Sequence, residues 1–150
     1  MTTVQVEPWG AMVEEAKTLF PLHWQEIGLH QDKIPMDMDE ARYFALEAQN
    51  MLHAVTVRAG GRLVGYAIVF VLPHMHYKTT LMGMVDMYYV LPEHRRGAGA
   101  RLFIELERSL KVRGVVKVIS SCKVHQDHTP LFEALGWKWT DKTFCKVIGA

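Results

Sequence analysis

Apolar residues recur along this chain with two periods, and the period changes where one element is expected to end and the next to begin. Alternation of apolar and polar positions predicts strands over residues 3–6, 52–59, 62–72, 80–91 and 115–121. Spacings of three and four predict helices over residues 8–20, 40–50, 100–113 and 129–135. Pro21 is expected to end the first helix, because proline lacks a backbone N–H and its ring clashes with the preceding turn. Residues 22–39 are expected to form a partly helical loop, and residues 137–149 two short strands.

The connections between these elements indicate how the strands pair. Gly60-Gly61 is a two-residue turn of the hairpin type, so the strands between residues 52 and 91 should form an antiparallel meander. The last of these strands, the following helix and the next strand form a crossover, which makes those two strands parallel. We therefore expect one α+β domain over residues 1–150. It would have three layers: a mixed, mostly antiparallel sheet with a central parallel pair, and helices that flank it.

Composition narrows the class of protein. Hydrophobic residues make up 49% of the 150 residues and charged residues 22%, which is enough apolar material for a packed core and excludes global disorder. No apolar run approaches the roughly 18 residues of a membrane span, and the start of the chain lacks the basic and apolar parts of a signal peptide. Cys122 and Cys145 are too few for a disulfide scaffold, so a cytoplasmic location away from membranes is expected.

Charge is distributed unevenly along the chain. Residues 1–50 carry three basic and nine acidic side chains, a net charge of −6, whereas residues 51–150 carry 14 basic and seven acidic ones, a net charge of +7. Two interpretations are open: these are two solvated faces, or the acidic part binds a cationic partner and the basic part an anionic one. The total of +1 argues against a general nucleic-acid binder held by phosphate contacts.

The strongest chemical signal lies between the strand at 80–91 and the helix at 100–113. The sequence there is Val90-Leu91-Pro92-Glu93-His94-Arg95-Arg96-Gly97-Ala98-Gly99-Ala100. Glycine and alanine let a backbone approach a ligand closely, and the first N–H groups of a helix have no intrahelical acceptor. Such groups bind phosphate or pyrophosphate, and Arg95 and Arg96 add positive charge beside them. The stretch has neither the Lys-Ser/Thr of a Walker loop nor a full GxGxxG, which disfavours nucleotide hydrolysis and a Rossmann site.

This stretch, its flanking elements and a later segment resemble the GNAT superfamily of acyl-CoA-dependent N-acyltransferases over essentially the whole chain. The family's loop, Gln/Arg-x-x-Gly-x-Gly/Ala after a strand that ends Val-x-Pro-Glu, corresponds to residues 94–99 after residues 90–93. The family's Leu-Tyr-x-x-x-Gly-Phe segment corresponds to residues 131–137. The chain also looks like the small GNAT proteins that are common in tailed-phage genomes.

The resemblance implies where acetyl-CoA would bind. Backbone N–H groups of residues 96–100 would hold its pyrophosphate, and the strand ending at Val90 would pair with the pantetheine arm between two splayed parallel strands. A backbone N–H near Tyr89 or Val90 would polarise the acetyl carbonyl. The expected acetyl-CoA contacts are Tyr89, Val90, His94, Arg95, Arg96, Gly97, Ala98, Gly99, Ala100, His125 and Phe132.

Two of these residues depart from the family pattern. His94 replaces Gln or Arg at a position that is usually tolerant, so little loss is expected. Phe132 replaces a tyrosine that protonates the leaving CoA thiolate in many members, and phenylalanine cannot donate a proton. Either another donor serves, with Tyr88 or Tyr89 as candidates, or the thiolate leaves unassisted.

Transfer to an amine also needs a group that accepts a proton. Asp86 lies in an apolar strand, where a carboxylate is costly unless it is functional or paired, and alternation places it on one face with Met84 and Tyr88. Histidine is a residue type that can accept a proton near neutral pH, and His74 and His76 lie on one side of the preceding connector. The structural alternatives are a hydrogen-bonded strand aspartate and an exposed histidine pair. The candidate catalytic groups are Asp86, His74, His76 and Tyr88, and no metal site is expected, because no spacing matches a zinc pattern.

The sequence therefore predicts an acetyl-CoA-dependent N-acetyltransferase in which an amine attacks the thioester directly. The acidic residues 1–50 favour a cationic acceptor, either a small-molecule amine or a protein amine. Two other functions stay open: a non-catalytic regulatory module that binds CoA, which Phe132 would explain, and an acetyltransferase acting on aminoacyl-tRNA or a modified nucleobase. A nucleic-acid partner is disfavoured, because no basic, aromatic-interleaved surface is evident. The resemblance also implies a homodimer.

Overall fold

A computed structural model describes residues 1–149, which contain five strands and four α-helices. The strands are β1 (Thr2–Val6), β2 (Leu52–Ala59), β3 (Arg62–His74), β4 (Tyr77–Val90) and β5 (Lys117–Ile119). The helices are α1 (Trp9–Ile27), α2 (Glu40–Ala48), α3 (Ala98–Val112) and α4 (Thr129–Ala134), and a 3-10 helix (Pro92–His94) precedes α3.

The strands form one mixed sheet in the order β1-β2-β3-β4-β5. Each neighbouring pair is antiparallel except β4 and β5, which run parallel, and this confirms the predicted fold class and the crossover through α3. The pairing of β5 with β4 is short and extends from Met82–Lys117 to Met84–Ile119. β4 therefore continues from Val85 to Val90 after its pairing with β5 has ended.

Helices cover both faces of the sheet. On one face, Tyr66 of β3 contacts Phe20 and His23 of α1, and α2 packs beside α1. On the other face, the apolar side of α3 is buried against the sheet. β3 is buried continuously from Leu63 to Val69, as a strand covered on both faces must be. Among the described residues, no helix is long and apolar enough to cross a membrane.

The prediction that Pro21 ends the first helix is wrong, because α1 continues through Pro21 to Ile27. A proline inside a helix costs roughly 3 kcal/mol through its missing hydrogen bond and its ring. Tertiary contacts beyond the proline offset this cost. His23 is buried, its Nδ1 lies 2.9 Å from the Tyr66 hydroxyl, and its ring stacks on Tyr89 with centroids 4.8 Å apart.

The end of the described chain also differs from the expectation. β5 covers Lys117–Ile119 rather than residues 115–121, and residues 137–149 form no strand, whereas two were predicted. Three large apolar side chains of that segment, Trp139, Phe144 and Ile148, are between 74% and 92% exposed. A strand is stabilised by cross-strand packing and pairing, so an alternating pattern alone does not form one where no neighbouring strand bonds it.

Candidate active site

A β-bulge interrupts β4 at Asp86. Ile68 of β3 pairs with Met87 and the next residue, Val69, pairs with Val85, so Asp86 has no partner on β3. A bulge bends its strand and redirects a side chain, and bulges are frequent next to active sites. This one follows closely on the last residue pair between β4 and β5, so it stands where the sheet begins to open.

The bulge corrects the predicted arrangement of side chains on β4. Asp86 accepts a hydrogen bond from Tyr43 of α2, whereas Tyr88 packs edge-on against Phe103 of α3 with ring centroids 5.1 Å apart. Because α2 and α3 cover opposite faces, Asp86 and Tyr88 point to opposite sides of the sheet. The prediction that they share a face is wrong, since the extra residue resets the period-two alternation.

Two opposing effects act on the Asp86 carboxyl. Desolvation by the surrounding side chains raises its pKa, and the weaker effect of the hydrogen bond from the Tyr43 hydroxyl to Oδ2 lowers it. Burial, together with the bond to Asp86, raises the pKa of Tyr43 above its ordinary range, so the phenol stays protonated and donates. A carboxyl with a raised pKa, exposed at an opening in the sheet, is a candidate proton acceptor.

Beyond the bulge, one edge of β4 is open. Within residues 1–149, the backbone of β4 from Val85 to Val90 is paired with β3 alone. The Leu91 N–H donates to Val64 O at 2.8 Å, which sets the phase of the antiparallel bonds. Because hydrogen-bonded pairs alternate along such a ladder, Tyr89 directs its N–H toward β3 and Val90 directs its N–H toward the open edge. Of the two amides predicted to polarise the acetyl carbonyl, this geometry favours Val90.

The loop between β4 and α3 ends at the N-terminus of α3, the type of helix end that can bind an anion. Gly97 has a left-handed φ of 73°, which glycine adopts without steric cost, and α3 begins directly after it. Arg101 N–H donates to Gly97 O at 3.3 Å, so the N–H groups of Gly99 and Ala100 precede the helical ladder. The N–H of Ala98 instead donates to the carbonyl of the loop at Arg95, at 3.1 Å.

The Arg95 guanidinium is held within the protein. It donates to Glu26 Oε2 at 2.6 Å and to Val90 O at 2.8 Å, and it lies over the Tyr89 ring, 5.5 Å from the centroid. The hydrogen bond to Glu26 raises the already high pKa of Arg95. Arg95 therefore links α1 to the loop, and the exposed Arg96 is the arginine of this loop that offers its charge to solvent.

Glu26, at the end of α1, joins the two sides of the opening. Its Oε1 accepts a hydrogen bond from Gln126 at 2.7 Å and its carbonyl accepts one from His125 Nε2 at 3.2 Å, while Oε2 holds Arg95. The segment after β5 and the loop after β4 are thus tied to the same residue. His125 thus lies beside the opening, and its ring is hydrogen-bonded to the carbonyl of Glu26 in α1.

Tyr88 reaches across the opening on the α3 side. Its hydroxyl donates to Ser121 O at 2.9 Å and lies 3.0 Å from His128 Nδ1. Phe132 of α4 packs edge-on against Tyr88 with ring centroids 6.0 Å apart. Burial raises the pKa of Tyr88 above its ordinary range and lowers the pKa of His128. At neutral pH both side chains are therefore uncharged.

The predicted histidines lie apart from the bulge. His74 and His76 are at the tip of the β3–β4 hairpin with ring centroids 4.6 Å apart. The strand from Tyr77 to Asp86 spans about 30 Å at the usual rise per residue, so the structure does not bring them to Asp86. His94 lies in the 3-10 helix, and its N–H donates to the turn before it. Among residues 1–149, no group of three or more His, Cys, Asp or Glu side chains could hold a metal ion.

Two residues of this region were not predicted from the sequence, Tyr43 and Glu26. They contact Asp86 and Arg95 from 43 and 69 residues away along the chain, a distance at which no local pattern connects them.

Similar folds occur among solved acetyltransferases. A ribosomal-protein-alanine N-acetyltransferase from Brucella melitensis biovar Abortus 2308 has 21% identity and a TM-score of 0.76, over 100% of this chain and 99% of that one. The aminoglycoside acetyltransferase meta-AAC0020 from an uncultured soil metagenomic sample has 12% identity and a TM-score of 0.72, over 99% and 95%. A predicted acetyltransferase with acetyl-CoA from Clostridium acetobutylicum has 18% identity and a TM-score of 0.68, over 99% and 97%. At these identities the likeness shows the fold.

No protein of curated function matches the sequence significantly. The model of the acetyltransferase (GNAT) family, however, matches residues 9–137, which include the bulge, the open edge of β4 and the loop before α3. The chain therefore belongs to the GNAT family of acetyltransferases and is an N-acetyltransferase.

Proposed function

We propose that this protein transfers an acetyl group from acetyl-CoA to a primary amine of a small molecule or a protein, by direct attack of the amine on the thioester. The observation that carries this proposal is the position of Asp86. It occupies a bulge at the start of the open edge of β4, and the same strand leads into the N-terminus of α3. The proposed proton acceptor and the proposed binding edge for the pantetheine arm of acetyl-CoA are thus on one strand, within one domain over residues 1–150.

The open edge supports binding of the pantetheine arm. An extended chain adds to an unpaired strand edge through backbone hydrogen bonds. The Val90 N–H faces this edge, whereas its carbonyl already accepts a bond from Arg95. At the far end, the N–H groups of Gly99 and Ala100 and the charge of Arg96 fit a pyrophosphate.

The chemistry assigned to these groups is a single acyl transfer. The amine nitrogen attacks the thioester carbonyl carbon, a C–N bond forms, the C–S bond breaks, and Asp86 accepts the proton that the nitrogen loses. The backbone N–H of Val90 would stabilise the negative charge that develops on the carbonyl oxygen. His74 and His76, about 30 Å away along β4, are less suited to this step and would act at most on a long acceptor.

The leaving group needs no acid in this proposal. Phe132 carries no proton to give, and the Tyr88 hydroxyl already donates to Ser121 O with a pKa that burial raises. A thiol has a pKa of about 8.5, below the ordinary value of about 10 for a phenol, and burial raises the pKa of Tyr88 further. Proton transfer from Tyr88 to the thiolate would therefore be unfavourable. The CoA thiolate therefore leaves as the anion and takes its proton from water.

The acceptor is proposed to be cationic. Residues 1–50, which carry a net charge of −6, include both α1 and α2. Tyr43 of α2 donates a hydrogen bond to Asp86. A negative surface around an entrance raises the local concentration of a cation. The basic side chains near the loop are partly engaged, with Arg95 on Glu26 and Arg101 on Thr2, which supports an amine over a nucleic-acid acceptor.

Two further proposals concern the oligomeric state of the protein and its location in the cell. The exposed apolar side chains of residues 137–149 support a homodimer in which they are covered, and light scattering at micromolar concentration tests it. Cys122 and Cys145 are free thiols, as a protein of the reducing cytoplasm would keep them.

The first experiment is an assay of CoA release from acetyl-CoA across polyamines, aminoglycosides, amino acids, peptides and tRNA. We expect one amine class to respond, with turnover lost in Asp86→Asn while calorimetry still detects acetyl-CoA binding. A response to tRNA alone would replace the amine proposal. Binding of acetyl-CoA without release across the whole panel would favour a protein that senses CoA.

A further inference from the structure

Tyr43 is the side chain of the α1–α2 layer that hydrogen-bonds Asp86. We infer that Tyr43 is a positioning residue, whose hydroxyl orients the Asp86 carboxylate toward the acceptor amine and keeps it ionised. This inference rests on the proposed role of Asp86 as proton acceptor. It adds a residue on α2 that acts through Asp86 on the rate and on its pH dependence.

Tyr43 is itself fixed from several sides. Its ring stacks on Trp9 of α1 with centroids 4.6 Å apart and an angle of 17°, and it contacts Phe70 of β3 at 6.2 Å. The two helices are also joined by Glu47 of α2, whose carboxylate accepts from the N–H groups at the start of α1. The phenol is thus held in one orientation before any substrate binds, as a preorganised hydrogen-bond donor must be.

The bulge explains why Asp86 needs such a partner. Asp86 faces no residue of β3, so no cross-strand neighbour fixes its side chain. Tyr43 donates to Oδ2, and among the described residues no hydrogen bond engages Oδ1. One carboxylate oxygen is therefore anchored on the helix layer, and the other is available for the N–H of an acceptor.

Among the titratable groups packed around Asp86, Tyr43 is the one that sets the pKa of its carboxyl. The other titratable side chains on the packed elements have their own contacts: His23 of α1 bonds Tyr66 of β3, Glu47 of α2 bonds the start of α1, and Tyr89 of β4 lies beneath Arg95. Desolvation by the neighbouring side chains raises the pKa of Asp86, and the hydrogen bond from Tyr43 opposes that rise. Without the phenol, Asp86 would be protonated at higher pH and would lose its function as a base sooner as the pH falls.

The test is Tyr43→Phe, which keeps the stacked ring and removes the hydroxyl. We expect the acidic limb of the kcat/KM profile to move upward by roughly one pH unit, since a hydrogen bond to a charged group contributes this much or more. The Asp86 carboxyl, followed by carbon NMR in the resting protein, should titrate at correspondingly higher pH. Tyr66→Phe is the matched control, because it removes a buried hydroxyl from the same face without touching Asp86.

Site-specific 3-fluorotyrosine at position 43 gives the opposite sign. Its more acidic phenol is a stronger donor, so the acidic limb and the NMR titration should move to lower pH, and the fold is undisturbed even if Tyr43→Phe melts early. An unshifted limb and an unshifted Asp86 titration in both proteins, with Asp86→Asn inactive, would overturn the inference and leave the proposed function standing. Full activity of Asp86→Asn would overturn the proposed base, and the role of Tyr43 with it.

Discussion

Asp86 sits among apolar neighbours, and the bulge rather than alternation sets its direction. Asp86→Asn keeps the size and the hydrogen-bonding shape of the side chain but cannot accept a proton. We expect kcat/KM to fall by about 10²- to 10⁴-fold, the usual contribution of a general base, with acetyl-CoA affinity unchanged by calorimetry. Asp32→Asn, at an exposed loop position, is the matched control. Turnover close to that of the unchanged protein would show that another group accepts the proton.

At the scale of single residues, the sequence indicated chemistry better than orientation. A carboxylate on an apolar strand marks Asp86 without any structure, because burying it is costly. Its partner Tyr43 and its face could not be predicted, since one depends on packing between distant segments and the other on an extra residue in β4. Arg95 lies in the loop that the sequence singles out, but its bond to Glu26 directs its guanidinium toward α1, which no sequence pattern indicates.

Two buried histidines join helices to the sheet and make the packing of these elements sensitive to pH. His23 of α1 bonds Tyr66, and His53 of β2 lies 2.7 Å from Ser109 Oγ of α3. Burial lowers the pKa of each to about 4, below the usual value near 6.5. Between pH 6.5 and pH 4 these histidines bind more protons in the unfolded chain than in the folded protein. The stability that they contribute is therefore fully present above pH 6.5 and is lost as the pH falls toward 4.

We therefore expect the free energy of unfolding to drop between pH 7 and pH 5 by about 2 kcal/mol per histidine. Urea unfolding at the two pH values measures this drop. His53→Gln removes one titrating group while keeping an amide donor, so its pH dependence should be about half as steep. An equally steep dependence in that variant would assign the effect to other groups.

Glu26 connects three elements around the opening, so its effect should appear in acetyl-CoA binding rather than in the chemical step. Glu26→Gln weakens the link from α1 to Arg95 and to the segment after β5. We expect a several-fold higher KM for acetyl-CoA, an unchanged kcat, and a stability loss of about 1 kcal/mol or less, as for a partly exposed ion pair. Steady-state kinetics and thermal melting measure these. A lower kcat at the original KM would contradict this account.

The order and type of most elements followed from periodicity, and the failures have physical causes. The strands from residue 52 to residue 91 were predicted well because their alternation and the Gly60-Gly61 turn agree. The helical residues after Pro21 depend on contacts of His23 with the sheet, which lie outside any sequence window. The predicted strands within residues 137–149 lacked a bonding neighbour, which no pattern of side chains can supply.

At the scale of the whole molecule, the uneven charge should govern how the acceptor arrives. The net charge of −6 over residues 1–50 would attract a polycation over a distance comparable to the Debye length, which shrinks from about 10 Å at 0.1 M salt to 3 Å at 1 M. We expect the KM of a polycationic acceptor to rise several-fold over this range of salt while kcat stays constant. A singly charged amine is the control and should change far less. Equal changes for both would point to an effect of salt on the enzyme itself.

The unpaired residue of β4 also limits how this protein can evolve. Asp86 offsets the residues on either side of it by one position, so that Tyr88 faces α3 and Tyr89 faces α1 in the observed register. Deleting a single residue there would shift the pairing register of one half of β4 by one position. Every side chain in that half would then point to the opposite face of the sheet. Substitutions can change the side chains of β4 without changing the faces to which they point, whereas an insertion or deletion cannot. We therefore expect descendants that use new acceptors to keep the number of residues in β4.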